Sequence, residues 1–270
     1  LWYADERPKY GVYRPIITPN NVFAFARDPE SSEQVWSAQI GYPGDSRYRE
    51  FYRDIGFDRE YDYIRPYIDP SGVRTNTGIK YHKITSKETP LDGKDFYDVD
   101  DANGVAHEHA RDFLRKKESQ VEYLLNIFEG LEPIVVAPFD AELFGHWWYE
   151  GPLFLEYFMR EAVNSQKLRV VRACDVADWI EKVQILTPAA SSWGANGYNE
   201  VWLNGTNDWI YLHLHEMVER MTDMAKRYAE EKDPLKVRIL NQMVRELLLA
   251  QSSDWAFIMT TRTSVDYAVN

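Results

Sequence analysis

The chain predicts an α/β fold followed by a helical domain, and three features carry that expectation. An amphipathic helical pattern over 106–128 runs into the apolar stretch Ile134-Val135-Val136-Ala137, and a second helical pattern at 154–163 runs into Leu168-Arg169-Val170-Val171, so helix and strand alternate. The stretch 134–137 is continuously apolar, as a parallel strand covered on both faces must be. Beyond Pro188 the composition shifts to a loop rich in Gly, Asn and Trp, and then to two long helical patterns. With 44% hydrophobic and 14% aromatic content, 270 residues can bury one large core or two smaller ones.

Taken in order, residues 1–30 are rich in Pro, Tyr and Arg, with one short strand expected at 22–26. A Pro-Gly turn at 43–44 opens the segment 41–58, where arginines, acids and aromatics interleave. Such neighbours either pair on a solvated helix or present Arg forks and aromatic faces to sugar hydroxyls and rings. Residues 73–84 alternate and are β-branched enough for a strand, and the acidic stretch 86–104 reads as a surface connection. Its run Asp98-Val99-Asp100-Asp101 lacks the ligand spacing of a calcium loop and reads as a solvated acidic face. In 106–128, Phe113, Leu114, Val121, Leu124, Leu125 and Phe128 keep helical spacing up to Gly130. His107 and His109, two apart on that helix, face different directions and cannot chelate one zinc ion together.

The loop 191–204 carries Trp193 and Trp202. The helix after it has a seam of Ile210, Leu214, Met217, Met221, Met224 and Tyr228, read as core, and the next helix, 234–251, starts on Pro234. Neither end looks like a natural terminus. Leu1-Trp2-Tyr3 begins no signal peptide and 265–270 reads as a helix cut short, so both ends are expected to be interior sequence.

Charge and cysteine usage narrow the function. With 31 basic against 43 acidic residues, a formal charge of -12 and no basic run, neither nucleic acid nor an anionic membrane is an expected partner. No apolar stretch approaches the roughly 20 residues of a membrane span. The single Cys174 leaves no intramolecular disulfide and fits a reducing, cytoplasmic setting, in which the sequon Asn204-Gly205-Thr206 is set aside.

The chemistry concentrates in Pro138-Phe139-Asp140-Ala141-Glu142-Leu143-Phe144-Gly145-His146-Trp147-Trp148, directly after the apolar run. In a barrel-like fold, residues just past a strand's C-terminal end are placed for chemistry. If the segment is extended, Asp140 and Glu142 lie on one side at ~6 to 7 Å. That suits the two carboxyls of glycosidic-bond chemistry; otherwise one enters the site and the other pairs with a neighbour.

The run Phe139 to Trp148 resembles the fourth signature region of glycoside hydrolase family 57. Together with Tyr42-Pro43-Gly44-Asp45, Tyr48-Arg49-Glu50-Phe51-Tyr52-Arg53-Asp54-Ile55-Gly56, Ser192-Trp193-Gly194, Tyr198-Asn199-Glu200-Val201-Trp202 and Gln251-Ser252-Ser253-Asp254-Trp255, it is similar to the 1,4-α-glucan branching subgroup over nearly the whole chain. The resemblance implies the second half of a (β/α)7 barrel over residues 1–187 and an all-helical domain with the Trp-rich substrate loop over 188–270. It implies a retaining transferase in which Asp140 is the general acid/base and Arg49, Phe57, Trp193, Trp202 and Asp254 contact substrate, with Glu142 in support. An α-glucan would be both donor and acceptor, with no metal or organic cofactor. The family's first three signature regions, including the Glu nucleophile, have no counterpart here, so the expected partner is an N-terminal half that supplies them. An α-amylase or 4-α-glucanotransferase of the same family, or a non-catalytic glucan-binding protein, are the alternatives.

Overall fold

The computed structural model describes residues 4–37, 40–192 and 194–269, and the chain divides into two compact units, Leu1–Ala189 and Ala190–Asn270. The first is mixed α/β and rich in helix. Its sheet has three short strands, β1 (Ile16–Ile17), β2 (Phe23–Ala24) and β3 (Gln184–Ile185), in the order β2-β1-β3. β1 and β2 form an antiparallel hairpin with Ile16 opposite Ala24, and β1 pairs parallel with β3, Ile16 opposite Gln184. Pro19 and Asn21 make the hairpin turn: Asn21 N–H donates to the Thr18 carbonyl at 2.9 Å while its own φ is 61°. Asn tolerates that left-handed conformation better than most residues.

The helices of this unit are α1 (Pro29–Trp36), the single turns α2 (Ile55–Asp58) and α3 (Tyr61–Ile64), α4 (Val99–Ile127), α5 (Gly151–Ala162) and α6 (Ala173–Trp179). α4 is its spine. Ala102, Ala106 and Ala110 recur every four residues on its buried face, and such small side chains let α5 approach closely. Phe154 and Phe158 of α5 then meet Phe113 edge to face at 5.8 and 5.3 Å. The helix begins seven residues earlier than periodicity predicts, because Asp98 caps it by accepting the N–H groups of Asp100 and Asp101, both at 3.0 Å. The acidic run is thus a helix start rather than part of a connection.

Three predicted strands do not form as drawn. Residues 134–137 are extended, yet Ile134 N–H donates only to the Tyr13 carbonyl (2.7 Å) and the Val136 carbonyl accepts only from Asp28 N–H (2.8 Å) among the backbone bonds of the described residues. A strand buried on both faces needs ladder partners, and two bonds do not make a ladder. Residues 168–171 are likewise outside any strand, and both runs line one cavity of about 800 Å³ with Phe25, Phe158 and Trp179. The 73–84 strand shortens to its end. There Ile84 N–H bonds the Tyr48 carbonyl, Glu50 N–H the His82 carbonyl and Tyr97 N–H the Tyr81 carbonyl, each at 2.8 Å. Among the described residues the sheet of this unit is the small mixed one, β2-β1-β3.

Two buried carboxylates tie the first unit together. Asp28 is fully buried at the start of α1, where it accepts from Ser31 N–H (2.9 Å), Lys117 Nζ (3.2 Å) and Gln120 Nε2 (3.1 Å) of α4. Asp54 caps α2 and gathers the 75–78 loop, its oxygens accepting from Gly56 N–H (2.8 Å), Thr77 N–H (2.9 Å), the Thr77 hydroxyl (2.8 Å) and Gly78 N–H (2.9 Å).

The second unit is helical among its described residues: α7 (Trp209–Arg227), α8 (Pro234–Ala250), α9 (Ser253–Thr261) and α10 (Val265–Val269). The Met217, Met221 and Met224 seam of α7 is half-buried rather than enclosed. No described helix is long and apolar enough to cross a membrane.

Burial by itself would raise the pKa of Asp28 and of Asp54, but the bonds from Ser31 and Lys117 at the first, and from Thr77, Gly56 and Gly78 at the second, hold both below the ordinary 3.8. A depressed folded value gives stability that is complete above the unfolded pKa and is lost as pH falls through the folded one. Urea midpoints of the intact protein should therefore drop below about pH 4, and Asp54→Asn should remove part of that drop. A midpoint that stays level down to about pH 2 contradicts the assignment.

Candidate active site

The loop carrying Asp140 is built around Trp148, whose side chain is 1% exposed. Its indole lies 4.9 Å from the Phe154 ring, 5.5 Å from Tyr48 and 6.0 Å from Phe144. Main-chain bonds close the loop around that anchor: Trp148 N–H to the Leu143 carbonyl and Gly145 N–H to the Trp148 carbonyl at 2.8 Å, and Gly151 N–H to the same carbonyl at 2.9 Å. Gly145 takes φ 103°, open to glycine and strained for other residues. Leu143 is buried beneath the loop, leaving Asp140 and Glu142 exposed on its outside.

The two carboxylates are not aligned as in a strand. Ala141–Leu143 is a 3-10 turn with Asp140 at its start, and Leu143 N–H bonds the Asp140 carbonyl at 3.2 Å. A tight turn does not return i and i+2 to one side, so the same-side pairing expected from extended geometry does not arise. Glu142 instead holds the loop through its carbonyl, which accepts Trp147 N–H at 3.2 Å. The Trp147 ring stacks on Phe51 at 4.4 Å and 28° and remains 48% exposed, with His146 edge-on to Phe51 at 5.3 Å.

Arg49 reaches this loop. Its guanidinium lies over the Tyr149 ring, 3.7 Å from the centroid, and its backbone N–H donates to Glu150 Oε1 at 3.0 Å. Phe57 sits on α2 with its ring 57% exposed. His107 and His109 take separate partners: His107 Nε2 meets Glu161 Oε1 at 2.8 Å, and the half-buried His109 Nδ1 meets the Tyr48 hydroxyl at 2.8 Å. Burial holds the His109 pKa below its usual value, against the pull of Asp45.

In the second unit, Trp202 is half-buried beside Phe257, with ring centroids 6.0 Å apart, and its indole N–H donates to the Ser192 hydroxyl oxygen at 3.1 Å. The fully buried Asn207 sets the loop by donating to the Val201 carbonyl (3.2 Å), the Ala256 carbonyl (3.3 Å) and the Thr260 hydroxyl (3.0 Å). Asn204, the sequon residue, donates its side-chain N–H groups to the Glu200 carbonyl (2.7 Å) and the Thr260 hydroxyl (2.9 Å). Asp254 is exposed in the first turn of α9, its carboxylate bonded by the Ser252 hydroxyl. Trp193 lies outside the described residues.

The structure thus brings Arg49 and the Asp140 loop into one neighbourhood; Trp202 and Asp254 belong to the other unit. Sequence reasoning missed Glu150, whose signal was an acid inside the aromatic run Trp147-Trp148-Tyr149-Glu150. It also missed Asn207, which composition does not distinguish from other loop amides.

Residues 213–270 match the family described as 1,4-alpha-glucan branching enzyme, C-terminal. The chain is 38% identical to a 1,4-alpha-glucan branching enzyme of Thermococcus kodakarensis, over 98% of this chain and 38% of that protein. It is 33% identical to a probable 1,4-alpha-glucan branching enzyme of Mycobacterium tuberculosis, over 94% and 45%. Among solved structures, an alpha-amylase, AmyC, of Thermotoga maritima is similar with a TM-score of 0.77 and 66% identity, covering 100% of this chain and 50% of that one. A GH57 branching enzyme of Thermococcus kodakaraensis gives a TM-score of 0.72 and 34% identity, covering 96% and 43%. The chain spans half or less of the length of these relatives.

A Cβ at Gly151 would stand 2.8 Å from Phe144 Cα, so only glycine lets α5 start against the Asp140 loop. Gly151→Ala should lower the stability of the intact protein by about 1–3 kcal/mol in equilibrium unfolding. It should also alter the near-ultraviolet dichroism of the packed indole; an unchanged unfolding midpoint contradicts the close approach.

Proposed function

We propose that this chain, which is similar along nearly its whole length to the C-terminal part of glycoside hydrolase family 57 branching enzymes, is the acid/base-bearing half of a 1,4-α-glucan branching enzyme. The observation that carries the reading is the exposed Asp140 carboxyl at the tip of a loop anchored by Leu143 and Trp148, in a sequence that matches the family's signature. The remaining barrel strands and the Glu nucleophile would come from sequence outside this chain. The runs 134–137 and 168–171, which lie outside the strands and line one cavity, supply the surface on which those strands would pack.

The reaction is a double displacement with retention. The nucleophilic Glu attacks the anomeric carbon of an α-1,4 linkage while Asp140 donates its proton to the departing 4-oxygen, leaving a covalent glycosyl-enzyme. Asp140, now a carboxylate, takes the proton of an acceptor 6-hydroxyl, whose oxygen attacks the same carbon and releases the nucleophile. An α-1,6 branch forms and the acid is restored. The mechanism calls on no metal or organic cofactor. Arg49, Phe57, Trp193, Trp202 and Asp254 would hold donor and acceptor glucan, Arg through its fork and the aromatic rings through the C–H faces of the sugar. Excluding water from the glycosyl-enzyme favours transfer over hydrolysis. A reducing, cytoplasmic setting belongs to the same reading.

Hydrolysis is the second reading, favoured by the 66% identity to a protein described as an alpha-amylase. There water replaces the acceptor hydroxyl in the second step, with the same acid/base.

In the full-length protein, Asp140→Asn should lower turnover of amylose by at least about a hundredfold, the usual worth of a general acid/base, while maltoheptaose binding persists. More than about a hundredth of the parent rate would remove Asp140 from this role. Counting α-1,6 linkages against new reducing ends in the parent's products separates branching from hydrolysis.

A further inference from the structure

Glu150 is a buried carboxylate that the proposed reaction does not use. It occupies the position before α5, where an acidic side chain usually caps its own helix, yet it makes no such cap. Its Oε1 instead accepts Arg49 N–H at 3.0 Å across 101 positions of sequence, and the residue is 1% exposed. The buried Nε of Arg49 has no hydrogen-bond partner among the described residues, whereas the Glu150 carboxyl also engages the Tyr97 hydroxyl, whose pKa is raised by burial and by this carboxyl. The neighbouring Tyr149 carries the Arg49 guanidinium on its ring face at 3.7 Å. Two consecutive residues therefore hold one arginine twice, by main chain and by side chain. The segment around it is equally fixed: Tyr48 and Glu50 are buried on either side, and Glu50 pairs with the buried Lys94 at 3.4 Å.

We infer that Tyr149 and Glu150 are positioning residues for Arg49, holding its guanidinium in one orientation toward glucan hydroxyls. The Asp140 loop and the Arg49 segment are thereby locked as a single sugar-binding element. The inference rests on the reading of Arg49 as a glucan contact. A long flexible side chain loses rotamer entropy on binding, and fixing it beforehand removes part of that cost. The effect belongs to affinity rather than to the chemical step.

The test uses the full-length protein carrying Asp140→Asn, so that equilibrium binding of maltoheptaose is read without turnover. Glu150→Ala should weaken binding about tenfold, the scale of one lost charge-assisted hydrogen bond. Glu150→Gln, whose amide oxygen still accepts from Arg49 N–H, should stay within about threefold, and Tyr149→Leu should fall on the side of Glu150→Ala. In an Arg49→Ala background, Glu150→Ala should add nothing. Nitrogen-15 relaxation of the Arg49 side chain reads the positioning directly and should show order lost in Glu150→Ala and Tyr149→Leu. An Arg49 side chain equally ordered in both variants, or a Glu150→Ala loss of affinity that persists in full without Arg49, overturns the inference. If order is lost while Arg49→Ala leaves the affinity intact, the positioning stands and the reading of Arg49 as a glucan contact falls.

Discussion

The first unit's chemistry depends on one buried indole. Trp148 lies at the meeting point of the Tyr48 segment, the Asp140 loop and the start of α5, and its backbone supplies three of the bonds that close the loop. Once that ring is sequestered, the rest of the loop has little freedom. Leu143 follows it inward, Gly145 turns the chain where other residues would be strained, and Gly151 lets α5 begin against Phe144. The acids are then left on the outside by exclusion. The hydrophobic interior fixes where the carboxylates stand.

A second constraint lies further along the same buried face of α4. Lys117 and Asp28 are nearly free of solvent, and the pair keeps company with Gln120 and Ser31, so few of its hydrogen-bonding positions are wasted. Such a pair contributes little net stability but penalises alternatives, because any displacement of α1 leaves a bare charge in the interior. Asp28 also presents its N–H to the Val136 carbonyl. The register of the apolar run ahead of Asp140 is thus set by the same residue that fixes α1 on α4.

Helices were legible in the sequence because their evidence is local. The spacing of Phe113, Leu114 and Leu124 and the proline at 234 each report on a few neighbouring residues, and the structure has helices there. Strands 134–137 and 168–171 were read from composition that describes a buried environment, and a strand additionally requires a partner that one segment cannot reveal. The Asp140 loop was legible as a motif but not as geometry: the 3-10 turn at 141–143 comes from Trp148 folding back on Leu143, a contact no alternation pattern encodes. The aromatic run around Glu150 marked the residue but not its partner, for a related reason. An acid beside a helix start reads as a cap, and only the three-dimensional neighbourhood shows that its partner is the backbone of Arg49.

Packing places Asp140 and Glu150, two carboxyls of one loop, in different environments. On the proposed reading Asp140 gives up a proton to the glucan and later takes one back, and the residue stands exposed on the outside of its loop. Glu150 is enclosed at 1% exposure, and its carboxyl accepts the Arg49 N–H. On the proposed reading, exchanging the two environments would spoil both roles: an enclosed acid/base would be cut off from glucan, and a solvated carboxyl would hold the Arg49 N–H no better than water does. The sequence places these acids in one loop, and the packing of Trp148 between them determines which faces solvent and which faces the protein.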